Sequence, residues 1–227
     1  MSAKSVSSIT LYRGFPTVNA YPWSPFAAKL EAWLRFSQLQ YNLEQGSPRS
    51  GPRTKVPYVD ISYQGQEAPT TMGDTVLISK QLVADGACAG LNGRLSPIDK
   101  ARGAAIQSLL EDKLYWYHAY ERWHDNYYTM RDAVLAHIPY PIRVVVGSLA
   151  YRGIMGTFHG QGTGRFSGDE IAAFRDEGWE QVAALVAEAR HKVTNTTDPF
   201  WILGGKRPTD ADATLFGFIA SILVATP

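Results

Sequence analysis

Cysteine is nearly absent: among 227 residues there is one, Cys88. A single thiol forms no intrachain disulfide, so a disulfide-stapled secreted scaffold is excluded, and a cytoplasmic location is expected. Cys88 is expected to be a small buried residue. The opening "MSAKSVSSITLYRG" has no apolar run ending in small residues, which argues against a signal peptide. Long hydrophobic runs are lacking too. The longest, Ala213 to Ala225, falls short of the roughly 20 residues that a membrane span requires and reads as a buried helix. Neither charge sign predominates. The 22 basic and 21 acidic residues are interspersed and leave a net charge of +1, so no footprint for nucleic acid or an anionic membrane is visible and a small-molecule partner is expected. No CxxC or HExxH pattern occurs, and His118 and His124 lie too far apart for one, so no metal site is expected. The glycine-rich run Gly156 to Glu170 lacks the closing Gly-Lys-Ser/Thr of a phosphate loop and reads as a loop, a candidate lid.

What the sequence does have is 45% apolar content, enough for a substantial core. "SITLY" (Ser8 to Tyr12) reads as a strand, followed by a turn-rich loop. From Ser24 onward, Phe26, Leu30, Trp33 and Leu34 recur at helical spacing, with Lys29, Glu31 and Arg35 assigned to the opposite side. "YNLEQG" gives a short strand, and "VPYVDISYQGQEA" two strand-like runs turning at Gly65. "GDTVLISKQLVADG" predicts a helix whose Val76, Leu77 and Leu82 face a core, with Gly86 as its C-cap. Beyond residues 90 to 97 the pattern becomes helical. An aromatic stripe of Trp116, Tyr120, Trp123 and Tyr127, begun by Leu109 and Lys113, runs along the first helical stretch. Further helices are expected near "PYPIRVVVGSLAYRGIM", "SGDEIAAFRDEGWEQVAALVAEARHKV" and "TDADATLFGFIASIL", the last capped by Thr209 with Asp212 three residues on. The expected architecture is an α/β domain over 1–90 followed by an all-α domain over 97–227.

Three dipeptides carry the chemistry. Ser24-Pro25 opens the first helix, Val56-Pro57 opens the third strand, and Asp74-Thr75 opens the second helix. Each has an ordinary explanation. Serine before proline is a favoured N-cap arrangement, a proline can begin a strand in the trans form, and Asp and Thr cap helices. Taken in order, they resemble the thioredoxin-like domain of glutathione transferases, and the helical remainder resembles that family's second domain.

The resemblance implies glutathione as cosubstrate. Pro57 would be the family's cis-proline, turning the backbone of Val56 toward the tripeptide. Asp74 and Thr75 would bind its γ-glutamyl end, and Lys55, with Arg53, its glycyl carboxylate. A carboxylate suits a helix N-terminus, where N–H groups and the dipole meet it. Thioredoxin-like oxidoreductases place Cys-Pro-x-Cys where this chain has Ser-Pro-Phe-Ala, so disulfide exchange there is ruled out. Ser24 resembles the donor of serine-type glutathione transferases, with Tyr12 and Tyr21 as rival donors. Trp23, Trp116, Tyr120 and Trp123 would contact a hydrophobic electrophile, and a homodimer is implied. "SPFAAKLEAWLRF" and "LYWYHAYERW" also resemble the branch of metaxins and failed-axon-connections proteins, in which a non-catalytic binding or scaffold role is the alternative.

Overall fold

The structure is a computed structural model that describes residues 5–15, 20–195 and 197–223. Cα packing divides the chain into two units, residues 1–104 with 199–226, and residues 105–198. These bounds differ from the expected 1–90 and 97–227, because the last helix is part of the first unit's core.

The first unit holds four strands, β1 (Val6–Tyr12), β2 (Asn42–Glu44), β3 (Tyr58–Tyr63) and β4 (Thr70–Gly73), in the order β2-β1-β3-β4. β1 runs parallel to β2, while β3 is antiparallel to both β1 and β4. The second strand of the hairpin therefore comes after the "YQGQEA" turn rather than within it. Gly65 supplies the positive φ of 79° that this turn needs. Ile9, Leu11, Val59 and Ile61 form the core-facing row of the sheet and pack with Leu30, Trp33 and Leu34 of α1 (Pro25–Phe36) and with Ile78 and Leu82 of α2 (Thr75–Ala84).

α1 departs from the simple two-sided pattern. Lys29 and Glu31 are buried, not solvent-facing: α8 (Asp210–Leu223) lies against α1 at Lys29, and Glu31 is covered by its partners Arg13 and Tyr41. The helices approach closely at Gly217, where a Cβ would sit 2.6 Å from the Pro25 carbonyl oxygen and 2.7 Å from the Lys29 Cα. α2 is turned from its expected register: Val76 and Leu77 are 39% and 42% exposed, while Ile78 and Leu82 fill the core. The α8 cap forms as expected. Asp212 is buried and accepts from the Thr209 N–H at 2.8 Å, the Thr209 hydroxyl at 2.6 Å and the Ile202 N–H at 2.6 Å. Asp210 beside it accepts from the Trp33 indole at 2.9 Å, and burial pushes its carboxyl above the usual range. Cys88 is half-buried at the edge of this core, and burial raises its thiol pKa.

The helical run that begins with α3 (Pro97–Ser108) is interrupted by two π-helical turns, Leu109–Leu114 and Glu121–Asp125, which flank α4 (Tyr115–Tyr120) and precede α5 (Tyr127–Val134). A π turn inserts an extra residue, so a stripe drawn at α spacing drifts off face. The buried residues are accordingly Ile106, Leu110 and Leu114, not Leu109 and Lys113. α6 (Ile142–Gln161) and α7 (Gly168–His191) complete the second unit. The expected glycine-rich loop is mostly helix: α6 continues to Gln161, a short 3₁₀ turn follows at Thr163–Arg165, and Ser167 and Glu170 cap α7 with a reciprocal box. Short-range helical bonding overrides the glycines, as their low helix preference is about 1 kcal/mol each and is readily outweighed by packing. No helix among the described residues is long and apolar enough to cross a membrane.

Candidate glutathione site

Strand register brings the three dipeptides to one end of the sheet. Tyr12 at the end of β1 pairs with Tyr58 at the start of β3, which pairs with Gly73 at the end of β4. The chain leaves Tyr12 toward Ser24, arrives at Tyr58 from Val56-Pro57, and leaves Gly73 into Asp74-Thr75. Adjacent strands lie about 4.8 Å apart, so three backbone segments converge over roughly 10 Å. The Val56–Pro57 peptide bond is cis, as the resemblance implies. A second cis bond, Tyr140–Pro141, was not anticipated.

Ser24 is the N-cap of α1. Its backbone is extended, with φ −78° and ψ 119°, and its hydroxyl oxygen accepts from the Ala27 N–H at 3.3 Å. That bond uses a lone pair and leaves the hydroxyl hydrogen available for donation. Tyr12 differs. Its hydroxyl donates to Asp60 at 3.0 Å, and this bond to a carboxylate, then burial, raises the phenol pKa. Its ring stacks on Tyr58 at 4.5 Å. Tyr21 is exposed, with its ring edge toward Phe216 at 5.9 Å. Trp23 is half-buried beside Ser24; its backbone N–H donates to the Phe15 carbonyl at 2.9 Å and its ring meets that of Phe15 at 5.8 Å.

The second helix start is more strained. Asp74 has φ 80° and ψ 119°, a region that L residues rarely enter and that costs on the order of 1–3 kcal/mol. One carboxylate oxygen, Oδ1, accepts from both the Val76 and Leu77 N–H groups at 3.0 Å, so the second oxygen is not needed for the cap. Thr75 is only 7% exposed. Arg53, itself at φ 58°, donates to the Gly73 carbonyl at 3.0 Å and ties the loop after β2 to the entrance of α2. Lys55 precedes the cis-bonded Val56; Lys55 is exposed and Val56 half-buried. Three polar features therefore stand at this end of the sheet: a helix N-terminus with a buried threonine, an exposed carboxylate, and a hydroxyl at a second helix N-terminus.

The aromatic candidates of the helical unit divide. Trp116 and Tyr120 both pack on the buried Phe158, at 6.2 and 5.6 Å between ring centres, while Trp123 is half-buried on the second π turn. Tyr120 also stacks on His124 at 4.5 Å.

Sequence reasoning missed Arg13 and placed its partner Glu31 on the solvent side of α1. Arg13 donates to Glu31 at 2.9 Å and to the Ala20 carbonyl at 2.8 Å. A glutamate between Leu30 and Ala32 on a mostly apolar helix was the available signal, but periodicity alone assigned it to solvent.

A four-stranded mixed sheet with a cis-proline at the start of β3 and capped helices at its carboxyl end defines a thioredoxin-like domain, here accompanied by a helical region. Residues 25–130, just under half of the chain, match the family model of the glutathione S-transferase N-terminal domain. Two solved structures from Phanerochaete chrysosporium share the fold. Glutathione transferase GSTFuA3 is 16% identical with a TM-score of 0.56, covering 96% of this chain and 86% of its own. Glutathione transferase GSTFuA2 has the same identity and TM-score, covering 95% and 85%.

Proposed function

We propose that this protein is a glutathione transferase that activates the glutathione thiolate for attack on a hydrophobic electrophile. Conjugation, isomerisation and elimination would all use the same activated sulfur. Ser24 is the catalytic donor. The observation that carries this reading is the contrast between two hydroxyls at one end of the sheet: that of Tyr12 donates to Asp60, whereas that of Ser24 accepts from Ala27 and keeps its hydrogen.

A thiol titrates near 8.5, and one charge-assisted hydrogen bond of about 1.5–3 kcal/mol lowers that by roughly one to two units. The α1 N-terminus adds favourable potential. Thr75 and the start of α2 receive the γ-glutamyl carboxylate, Asp74 its ammonium, the Val56 backbone the extended peptide, and Lys55 the glycyl carboxylate. Trp23 is the candidate contact for the apolar acceptor in the α/β unit; Trp116, Tyr120 and Trp123 are the candidate apolar contacts of the helical unit. A cytoplasmic homodimer is the accompanying expectation.

The same Ser24–Ala27 bond favours a second reading, because capping alone accounts for it. In that case the protein is a non-catalytic, metaxin-like binding or scaffold protein. Calorimetry with glutathione, followed by conjugation of a generic aryl electrophile, separates the two. The enzyme reading expects binding, and a rate that falls about 10- to 100-fold at neutral pH in Ser24→Ala. Binding with no chemistry toward a panel of electrophiles, or no binding at all, overturns it in favour of the second.

A further inference from the structure

Arg13 sits where β1, the loop toward Ser24 and α1 meet. Its backbone N–H donates to the Glu44 carbonyl at 3.1 Å, which fixes its own position at the end of the sheet. Its guanidinium then reaches Glu31 on α1 at 2.9 Å and the Ala20 carbonyl at 2.8 Å. The side chain is buried, at 3% exposure for Arg13 and 8% for Glu31. Glu31 is held in turn by Arg35 at 2.6 Å and by the Tyr41 hydroxyl at 3.3 Å, so the carboxylate has little freedom to shift.

Stability does not explain this arrangement. A buried ion pair is often no better than a well-packed apolar pair, because desolvation offsets the attraction. An apolar pair, however, has no donor for a loop carbonyl, and a lysine has a single ammonium in place of a planar fork that serves two acceptors at once. Ala20 is four residues before Ser24, and Glu31 is seven residues after it, about two turns along α1. One guanidinium therefore grips the chain on both sides of the proposed donor.

We infer that Arg13 is a positioning residue of the glutathione site: through Ala20 and Glu31 it fixes the loop and helix so that the Ser24 hydroxyl meets the sulfur. The inference rests on the Ser24 reading above. Hydrogen bonds weaken steeply with misalignment, and a misplacement of about 1 Å can lower a rate on the order of 100-fold. Arg13 touches neither the sulfur nor the electrophile, so its loss acts on thiolate formation and turnover more than on tripeptide affinity.

The test titrates the ultraviolet absorbance of the glutathione thiolate bound to wild type, Ser24→Ala, Arg13→Lys and the double variant Arg13→Met with Glu31→Leu. The double variant removes both charges together, so its folding does not depend on a stranded ion. Arg94→Lys is the control, since Arg94 similarly clamps the carbonyls of Leu91, Arg207 and Pro208 in the same unit. The expected result is a thiol pKa raised by about one unit in the Ser24 and both Arg13 variants, a roughly tenfold loss of kcat, little change in the glutathione dissociation constant, and a wild-type pKa in Arg94→Lys. A raised pKa in Ser24→Ala together with wild-type values in the folded Arg13 variants overturns the positioning role alone. A wild-type pKa in Ser24→Ala overturns the Ser24 reading and this inference with it.

Discussion

The two units use their polar side chains differently. In the first, Arg13, Asp212 and Arg94 each hold backbone of a loop: the Ala20 carbonyl, the Ile202 and Thr209 N–H groups, and the Arg207 and Pro208 carbonyls. In the second, the main polar chain joins side chains on helices. Trp179 on α7 donates to His118 Nε2 at 2.7 Å, His118 Nδ1 lies 3.3 Å from Glu121, and Glu121 pairs with Arg175 at 2.8 Å. Arg143 clamps the Ile138 and Ala136 carbonyls of the second unit in the same way, so what sets the first unit apart is Arg13, whose clamped loop leads to Ser24. The difference teaches that a clamp matters by where its loop leads, and the Arg13 clamp is the one that adjoins the candidate site.

The comparison is broken most severely at Gly217. Gly217→Ala places a methyl group against the backbone of Pro25 and Lys29, which no side-chain rotamer relieves. It is expected to destabilise the first unit by about 3 kcal/mol and to weaken glutathione binding, measured by chemical denaturation and calorimetry. Asp212→Ala strands two buried N–H donors and is expected to cost roughly 2–3 kcal/mol in the same measurement.

For the helical unit the corresponding test is acid. Because the Trp179 indole donates to Nε2, His118 is the neutral tautomer with its proton on Nδ1. Burial is the main reason its pKa is lowered from 6.5 to about 4. The unfolded chain then binds the proton first, so this contribution to stability is complete above pH 6.5 and is lost as pH falls from there toward 4. The loss amounts to roughly 2–3 kcal/mol, and His118→Gln should flatten that part of a stability–pH curve followed by Trp179 fluorescence.

The smallest effect is expected at Asp74. Asp74→Gly relieves the strained φ while glycine remains a tolerable cap, so stability should change by less than about 1 kcal/mol. Glutathione affinity should nonetheless fall by about tenfold or more, since the ammonium loses its partner. Unchanged affinity in calorimetry would remove Asp74 from the site and leave it a cap alone.

Local signals served the sequence reading well, and shared ones did not. Ser24-Pro25, Val56-Pro57 and the Thr209–Asp212 cap are decided within a few residues by proline geometry and capping, and each stands where expected. Lys29 was misassigned because a period of 3.6 predicts one buried face, and it cannot register a second partner helix arriving from 180 residues later in the chain. The helical stripe failed at Leu109 and Lys113 because a π turn has no local sequence rule. Arg13 was missed for the same reason as Glu31: a buried ion pair becomes visible only when both partners are seen at once.

The first unit is discontinuous, and α8 is an integral part of it. During synthesis the sheet and α1 leave the ribosome long before α8 does, with the flank of α1 near Ala28 and Lys29 still lacking its cover. The helical unit, being continuous, can fold in that interval. The α/β half of the molecule is thus started first and finished last, and any stop codon upstream of Asp210 would yield a chain whose first helix has no lid.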